Sequence, residues 1–285
     1  MRLLLLTLEQ SALFLPLALG IFLSYRILKI TDLTMEGSFV LGAGSFARSL
    51  QLFGMPWLSF GIALLSGMLS GLFVTWIGYR EKVSGLIAGI LALFVLHSVN
   101  YQVMQRANIN LIGLPTVLSL LGNINVWLPK IAVVSVAILV FSSLAILLRS
   151  RLGLVLRCLG LNSNLGKKLG NNPDFYRGLG LCIANMCAAL CGCMTAQVVG
   201  YADIAMGLGV TIVGIGSVVI GREIASFIYK SETFSALLEL LFVVLGVIAY
   251  FFVLNFCLYL GVSSINIKLI LGLVLIFLIR SARGK

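Results

Sequence analysis

Long apolar runs alternate with short polar segments along the whole chain. Each run approaches the roughly 20 residues that an α-helix needs to cross a bilayer. The pattern predicts about nine membrane-spanning segments, within a range of eight to ten, at residues 10–28, 33–52, 56–78, 84–101, 131–148, 178–199, 203–221, 236–260 and 267–280. We therefore expect an all-α polytopic membrane protein that forms a single transmembrane domain over residues 1–285.

Composition agrees with this class. The 285 residues are 60% hydrophobic and 10% charged, with a mean hydropathy of +1.13. Soluble domains carry about 25% charged residues, so a soluble fold, a disordered chain and a disulfide scaffold are excluded. Four of the six cysteines share one apolar run, and we interpret them as small packing residues.

The basic residues indicate an orientation. With nine segments, fifteen of the 20 Lys and Arg residues fall in one set of alternate loops. The positive-inside rule then places the C-terminus and residues 149–177 in the cytoplasm and the N-terminus outside. We attribute the net charge of +11 to this bias rather than to binding of nucleic acid.

Two segments in different halves of the chain share an unusual opening, Asp32-Leu-Thr-Met-Glu-Gly37 and Asp203-Ile-Ala-Met-Gly-Leu-Gly209. Five predicted spans separate them, so they run in opposite directions. Paired glycine-interrupted segments indicate inverted repeats, and broken or re-entrant helices that line a solute path. In an alternative interpretation, Asp32 and Asp203 are helix N-caps and the glycines permit close helix contacts.

Glu36 is the one acid inside an early apolar run, which favours either a functional site or a first-turn acid that interacts with the helix dipole. Glu239 begins a later span, and we expect it at the membrane interface. Catalysis is not indicated. His97 is the only histidine, and residues 160–168 lack the spacing of a phosphate-binding loop. We expect no enzyme activity, no bound metal and no cofactor on this chain.

Residues 149–177 form the longest polar segment, with Leu152 and Leu154 set among Arg149, Arg151 and Arg157. This pattern fits a segment that lies on anionic lipid, and equally a short helix that docks in a groove of a partner protein. The outside loop 101–130 also has two interpretations, a surface on which a partner protein docks or a re-entrant segment.

The stretch Leu156-Arg-Cys-Leu-Gly-Leu-Asn162, followed by Gly170-Asn-Asn-Pro-Asp-Phe-Tyr176, resembles the cytoplasmic coupling loop of bacterial ABC importer permeases. The resemblance is to the branched-chain amino acid and ribose permease superfamily. Three further segments, Ile30–Ser38, Asn108–Pro115 and Tyr201–Gly209, resemble the subgroup associated with tryptophan and tyrosine uptake.

This resemblance implies a permease subunit in the bacterial inner membrane that transports an aromatic or branched-chain amino acid. Its implied partners are a second permease copy or homologue, a cytoplasmic ATPase that hydrolyses the ATP, and an extracytoplasmic solute-binding protein, all within membrane lipid. The family pattern places Met35, Glu36, Gly37, Met206, Gly207 and Gly209 along the substrate path. It places Gly160, Asn162, Gly170 and Asn171 at the ATPase, and we expect Arg157, Lys167 and Lys168 to contribute to the same coupling surface. Leu161 and the lysine pair differ from the family's usual loop.

An ion-coupled secondary transporter is the alternative, because inverted repeats suit that class equally well. Such carriers usually keep acidic residues deep in the membrane, and this chain has almost none outside the span ends.

Overall fold

The computed structural model describes residues 2–78, 84–162, 172–228 and 236–282. Within these ranges it contains eleven α-helices and two short strands. The helices are α1 (Arg2–Ile21), α2 (Thr34–Phe53), α3 (Pro56–Ile77), α4 (Gly85–Met104), α5 (Val117–Ile124), α6 (Leu128–Arg149), α7 (Arg151–Leu161), α8 (Pro173–Val199), α9 (Val210–Ile228), α10 (Ala236–Tyr259) and α11 (Ser264–Ala282). The strands are β1 (Asn108–Asn110) and β2 (Tyr201–Asp203).

The all-α polytopic class predicted from the sequence is confirmed, with a helix at each predicted span. Seven helices in the described ranges are long and apolar enough to cross a membrane. The polar α2, which contains Glu36 and Arg48, is not among the seven, and neither is α11. The number of spans therefore stays a prediction.

Three predicted boundaries were wrong. Helix α1 begins at Arg2 rather than at residue 10, and a π-helical turn, Phe22–Ile27, continues it. Helix α8 begins at Pro173 rather than at 178, because the Asn172 side chain accepts a hydrogen bond from the Asp174 backbone N–H and caps the helix there. Residues 173–177 therefore belong to α8 and not to the polar loop.

The third wrong boundary is the end of the predicted span 203–221, because the membrane-spanning stretch runs from Ile204 to Ile228. Strand β2 ends at Asp203, a 3₁₀ turn covers Ile204–Gly207, and α9 starts only at Val210. Gly209 has φ +83°, a left-handed conformation that ends one helical segment before the next begins. The segment is broken, as its glycines predicted.

Helix α8 lies at the centre of the structure, packed against α1, α2 and α3. Small residues make these contacts close: Gly42 of α2 abuts Ala189, and Gly192 abuts the backbone of Phe39. Cys187 and Cys191 are buried in the same helix. Lipid supplies little hydrophobic driving force between helices, so close packing of small residues holds them together.

The helix ends form two distinct surfaces. At one, which we term the basic end, Gly160 of α7 abuts Ile27 and Gly180 of α8 abuts Leu28. Arg26 forms an ion pair of 2.8 Å with Glu239 at the start of α10, where an interfacial acid was predicted. At the other, which we term the ribbon end, β1 pairs antiparallel with β2, and Asn108 is opposite Asp203.

Each of the two long polar loops predicted from the sequence, 101–130 and 149–177, contains a short helix. Helix α5 lies in the 101–130 loop and starts at a capping box on Thr116. The backbone N–H of Leu118 in α5 donates a hydrogen bond to Oε1 of Gln197 in α8. Helix α7 is the short helix considered for residues 149–177, and it buries Leu156 and Leu159 while Leu154 and Leu161 stay exposed.

Candidate functional site

The two paired segments predicted from the sequence meet in the structure. The backbone N–H of Gly209 donates a hydrogen bond of 3.2 Å to Oε1 of Glu36 in the first turn of α2. Asp32 lies beside Gly89 near the start of α4, whereas Asp203 bonds Asn108 beyond the end of α4. The segments therefore start at opposite ends of a 20-residue helix, as inverted repeats require.

Close backbone approach explains Gly207. A Cβ at this position would lie 2.6 Å from the carbonyl oxygen of Glu36 and 2.6 Å from Cγ2 of Val40. Gly209 differs, because nothing lies within 4 Å of a Cβ there and only its φ of +83° favours glycine. One glycine therefore provides space and the other provides a backbone conformation.

The other predicted path residues divide between the core and the surface. Met35 is fully buried, and Gly37 packs against Leu96 with its carbonyl oxygen accepting a 3.1 Å hydrogen bond from Asn100 Nδ2. Met206 is half-buried, and its sulfur accepts from the Asp203 backbone N–H at 3.5 Å. Gly207 and Gly209 each contact Glu36. That these six residues line a solute path stays a prediction.

Behind Glu36, a buried polar cluster joins α2, α3 and α8; its residues are Asp32, Thr34, Ser38, Ser70 and Asn185. Asp32 Oδ1 accepts from the backbone N–H of Thr34 at 2.9 Å and also from its hydroxyl. Asn185 Nδ2 donates to Asp32 Oδ2 at 2.8 Å. Asn185 Oδ1 accepts from the Ser38 hydroxyl at 2.6 Å and lies 3.0 Å from the Thr34 hydroxyl, whose one proton goes to Asp32. Both carboxylate oxygens thus have donors.

The structure bears on the capping interpretation of the paired aspartates. Asp32 accepts from the backbone N–H of Thr34, the first residue of α2, and Asp203 caps the 3₁₀ turn by accepting from the Ala205 N–H at 2.7 Å. Each also joins a second element, because Asp32 bonds α8 and Asp203 Oδ2 accepts from Asn108 Nδ2 at 3.1 Å.

Sequence reasoning missed Asn185, Ser38 and Ser70. Asn185 stands alone as an amide within the apolar, cysteine-rich part of α8, and an isolated polar residue within a span is a signal of buried bonding. The serines give no such signal, because serine bonds its own helix backbone readily.

Three of the predicted ATPase-facing residues are described. Arg157 donates to the Leu148 carbonyl at the end of α6, Gly160 abuts Ile27, and Asn162 ends α7. Arg157 and Gly160 therefore fix α7 to this chain's own basic end, and the exposed side chains of Leu154 and Leu161 face outward. Lys167, Lys168, Gly170 and Asn171 lie outside the described residues.

Comparisons with known proteins show what the whole chain is similar to. Residues 3–279 match the family described as branched-chain amino acid transport system, permease component. An uncharacterized protein of Rickettsia prowazekii (strain Madrid E) is 46% identical over 283 residues, 99% of each chain. The tyrosine transport system permease protein of Clostridioides difficile (strain R20291) is 32% identical over 267 residues, which cover 94% of this chain and 87% of the relative. No solved structure matches.

Proposed function

The chain belongs to the family of permease components of branched-chain amino acid transport systems, and from that premise we propose that it is the membrane subunit of an ATP-driven importer for an aromatic amino acid. The contact between Glu36 and Gly209 carries the proposal, because it joins the two inverted segments at a broken helix. Backbone groups freed by such a break are tolerated in a membrane where they meet protein or a water-filled path.

The relative named for tyrosine transport supports an aromatic rather than an aliphatic substrate. The aligned region covers 94% of this chain, so it includes both segments that meet at Glu36. In this proposal a separate binding protein selects the amino acid, and the permease supplies the passage.

In this proposal, ATP hydrolysis by the partner subunit moves the permease through α7. A cytoplasmic ATPase contacts the exposed Leu154 and Leu161, and the tight contact between Gly160 and Ile27 passes the displacement to the end of α1. Helix α8 transmits this displacement to α2, because Asn185 of α8 is bonded to Asp32 at the start of α2. Rocking of packed elements around a fixed site then alternates access to the path.

The orientation of the basic end and the ribbon end determines where the remaining partners bind in this proposal. The basic end faces the cytoplasm of a bacterial cell and the ribbon end faces outward, in accordance with the positive-inside rule. A solute-binding protein docks on the exposed Asn108, Asn110 and Tyr201 of the β1–β2 ribbon. A second permease subunit completes the path within the inner membrane.

The test is uptake by the reconstituted assembly. The chain is co-expressed with the ATPase and binding protein that we expect to be encoded beside its gene, purified, and placed in proteoliposomes loaded with ATP. We expect uptake of radiolabelled tyrosine that requires ATP and all three proteins, and that unlabelled tryptophan competes more strongly than leucine. Tyrosine uptake by the permease alone under a proton or sodium gradient would contradict the proposal and establish the secondary transporter.

A further inference from the structure

A cavity of about 580 Å³ opens at the basic end, between the π-helical turn after α1 and the neighbouring helices α9 and α10. Phe22, Phe242 and Val243 form part of its apolar wall. None of the six predicted path residues lines it. The cavity is therefore separate from the site around Glu36.

Charged side chains surround the cavity. Arg26, Lys29 and Arg222 contribute three positive charges, and Glu223 and Glu239 contribute two negative charges. Arg26 and Glu239 neutralise each other in their 2.8 Å ion pair. Lys29 and Arg222 are exposed and form no hydrogen bond or ion pair with any residue that the structure describes. With Glu223, these two cations leave one net positive charge among the described residues that line the cavity.

The backbone holds Lys29 at this rim. Its φ of 55° is left-handed, and the Ile30 backbone N–H closes the end of α1 by donating to the Ser24 carbonyl at 2.9 Å. Glycine is the usual residue in such a helix-terminating position. Lysine at this position instead places an ammonium group beside the cavity and at the negative end of the helix dipole.

We propose that this cavity binds the phosphate group of an anionic phospholipid, with Lys29 and Arg222 contacting the phosphate and the apolar wall contacting an acyl chain. The cavity lies where three helices end, the level at which lipid head groups meet protein. Tyr25 at its edge is 40% exposed, as is typical of aromatic residues at a membrane interface. Basic pockets between membrane helices on the cytoplasmic side bind such head groups. This inference does not depend on the transported solute.

Native mass spectrometry of the purified full chain tests the inference. The protein in detergent is titrated with phosphatidylglycerol or with phosphatidylcholine of the same acyl chains. We expect wild-type protein to retain phosphatidylglycerol preferentially. Arg222→Gln and Lys29→Gly should each weaken its binding about fivefold, the change that corresponds to about 1 kcal/mol per basic residue.

Lys29→Gly removes the ammonium group and suits the left-handed backbone, so loss of lipid by this variant does not arise from unfolding. Arg149→Gln is the matched control, because Arg149 is exposed at the same end and does not line the cavity. Equal phosphatidylglycerol binding by all four proteins would overturn the proposal. So would displacement of the lipid by millimolar inorganic phosphate, which would indicate an anion site, or by tyrosine, which would indicate a solute site.

Discussion

Glu36 Oε1 accepts a 3.2 Å hydrogen bond from the backbone N–H of Gly209, although 173 residues separate the two in sequence. The bond joins the first turn of α2 to the break that precedes α9. A side chain from one inverted segment thus satisfies a backbone donor freed by the break in the other. The bond uses a side-chain oxygen of Glu36 as acceptor, a property that its negative charge accompanies and that an amide would share.

The first prediction separates these two properties. Glu36→Gln keeps an oxygen acceptor, so we expect tyrosine uptake and stability close to wild type. Glu36→Ala leaves the Gly209 N–H without this partner, and it should lower the free energy of unfolding by about 1 kcal/mol and reduce uptake. Thermal unfolding in detergent and uptake by the reconstituted assembly provide the two measurements.

Glu9→Ala is the control, because Glu9 forms an exposed ion pair with Lys130 and such pairs contribute little. If Glu36→Gln abolished uptake while its unfolding temperature stayed unchanged, the negative charge would be essential. That result would favour ion coupling over an ATP-driven importer.

The second prediction concerns the space at Gly207. Gly207→Ala places a Cβ 2.6 Å from the Glu36 carbonyl oxygen, so the two segments must separate and uptake should fall at least about tenfold. Gly61→Ala is the matched control, since nothing lies within 4 Å of a Cβ at this position in α3. Alanine there should leave uptake unchanged and raise stability by about 0.5–1 kcal/mol. Equal uptake by both variants would show that the Glu36–Gly207 contact is dispensable.

The third prediction concerns the bond between Asp32 and Asn185. Asn185→Ala removes the donor to Asp32 Oδ2 in a buried site, and it should cost about 2 kcal/mol or more in unfolding free energy. A double-mutant cycle with Asp32→Asn should give a coupling energy of at least about 1 kcal/mol. Ser66→Ala, which removes only a bond to Ala63 within α3, should have little effect. Additive changes would show that the two side chains act independently.

The helices could be predicted from the sequence because apolar runs of membrane-spanning length leave little choice of element. Their ends were harder. The cap at Asn172 starts α8 within a segment that polarity alone assigns to a loop, and the left-handed Gly209 delays α9 beyond the apolar start of its run.

Only the part of the site that the two repeated segments form could be predicted from the sequence. The shared Asp and Met spacing indicated the two segments that meet at Glu36. Asn185 belongs to no repeat, and its role depends on how α8 packs against α2, which is a tertiary contact. The ion pair between Arg26 and Glu239 spans 213 residues and leaves no local pattern for the same reason.

The last prediction divides α7 into an inner and an outer face. Gly160→Ala would place a Cβ against the Ile27 carbonyl, so the isolated permease should unfold at a lower temperature and lose ATP-dependent uptake. Leu161 is 76% exposed, so Leu161→Ala should leave the unfolding temperature unchanged and weaken ATPase binding about fivefold, from loss of apolar contact worth about 1 kcal/mol. Copurification of the ATPase measures that binding. Undiminished copurification with Leu161→Ala would mean that this face of α7 contacts lipid rather than the ATPase. An exposed leucine that binds no protein is buried most readily in the bilayer interface.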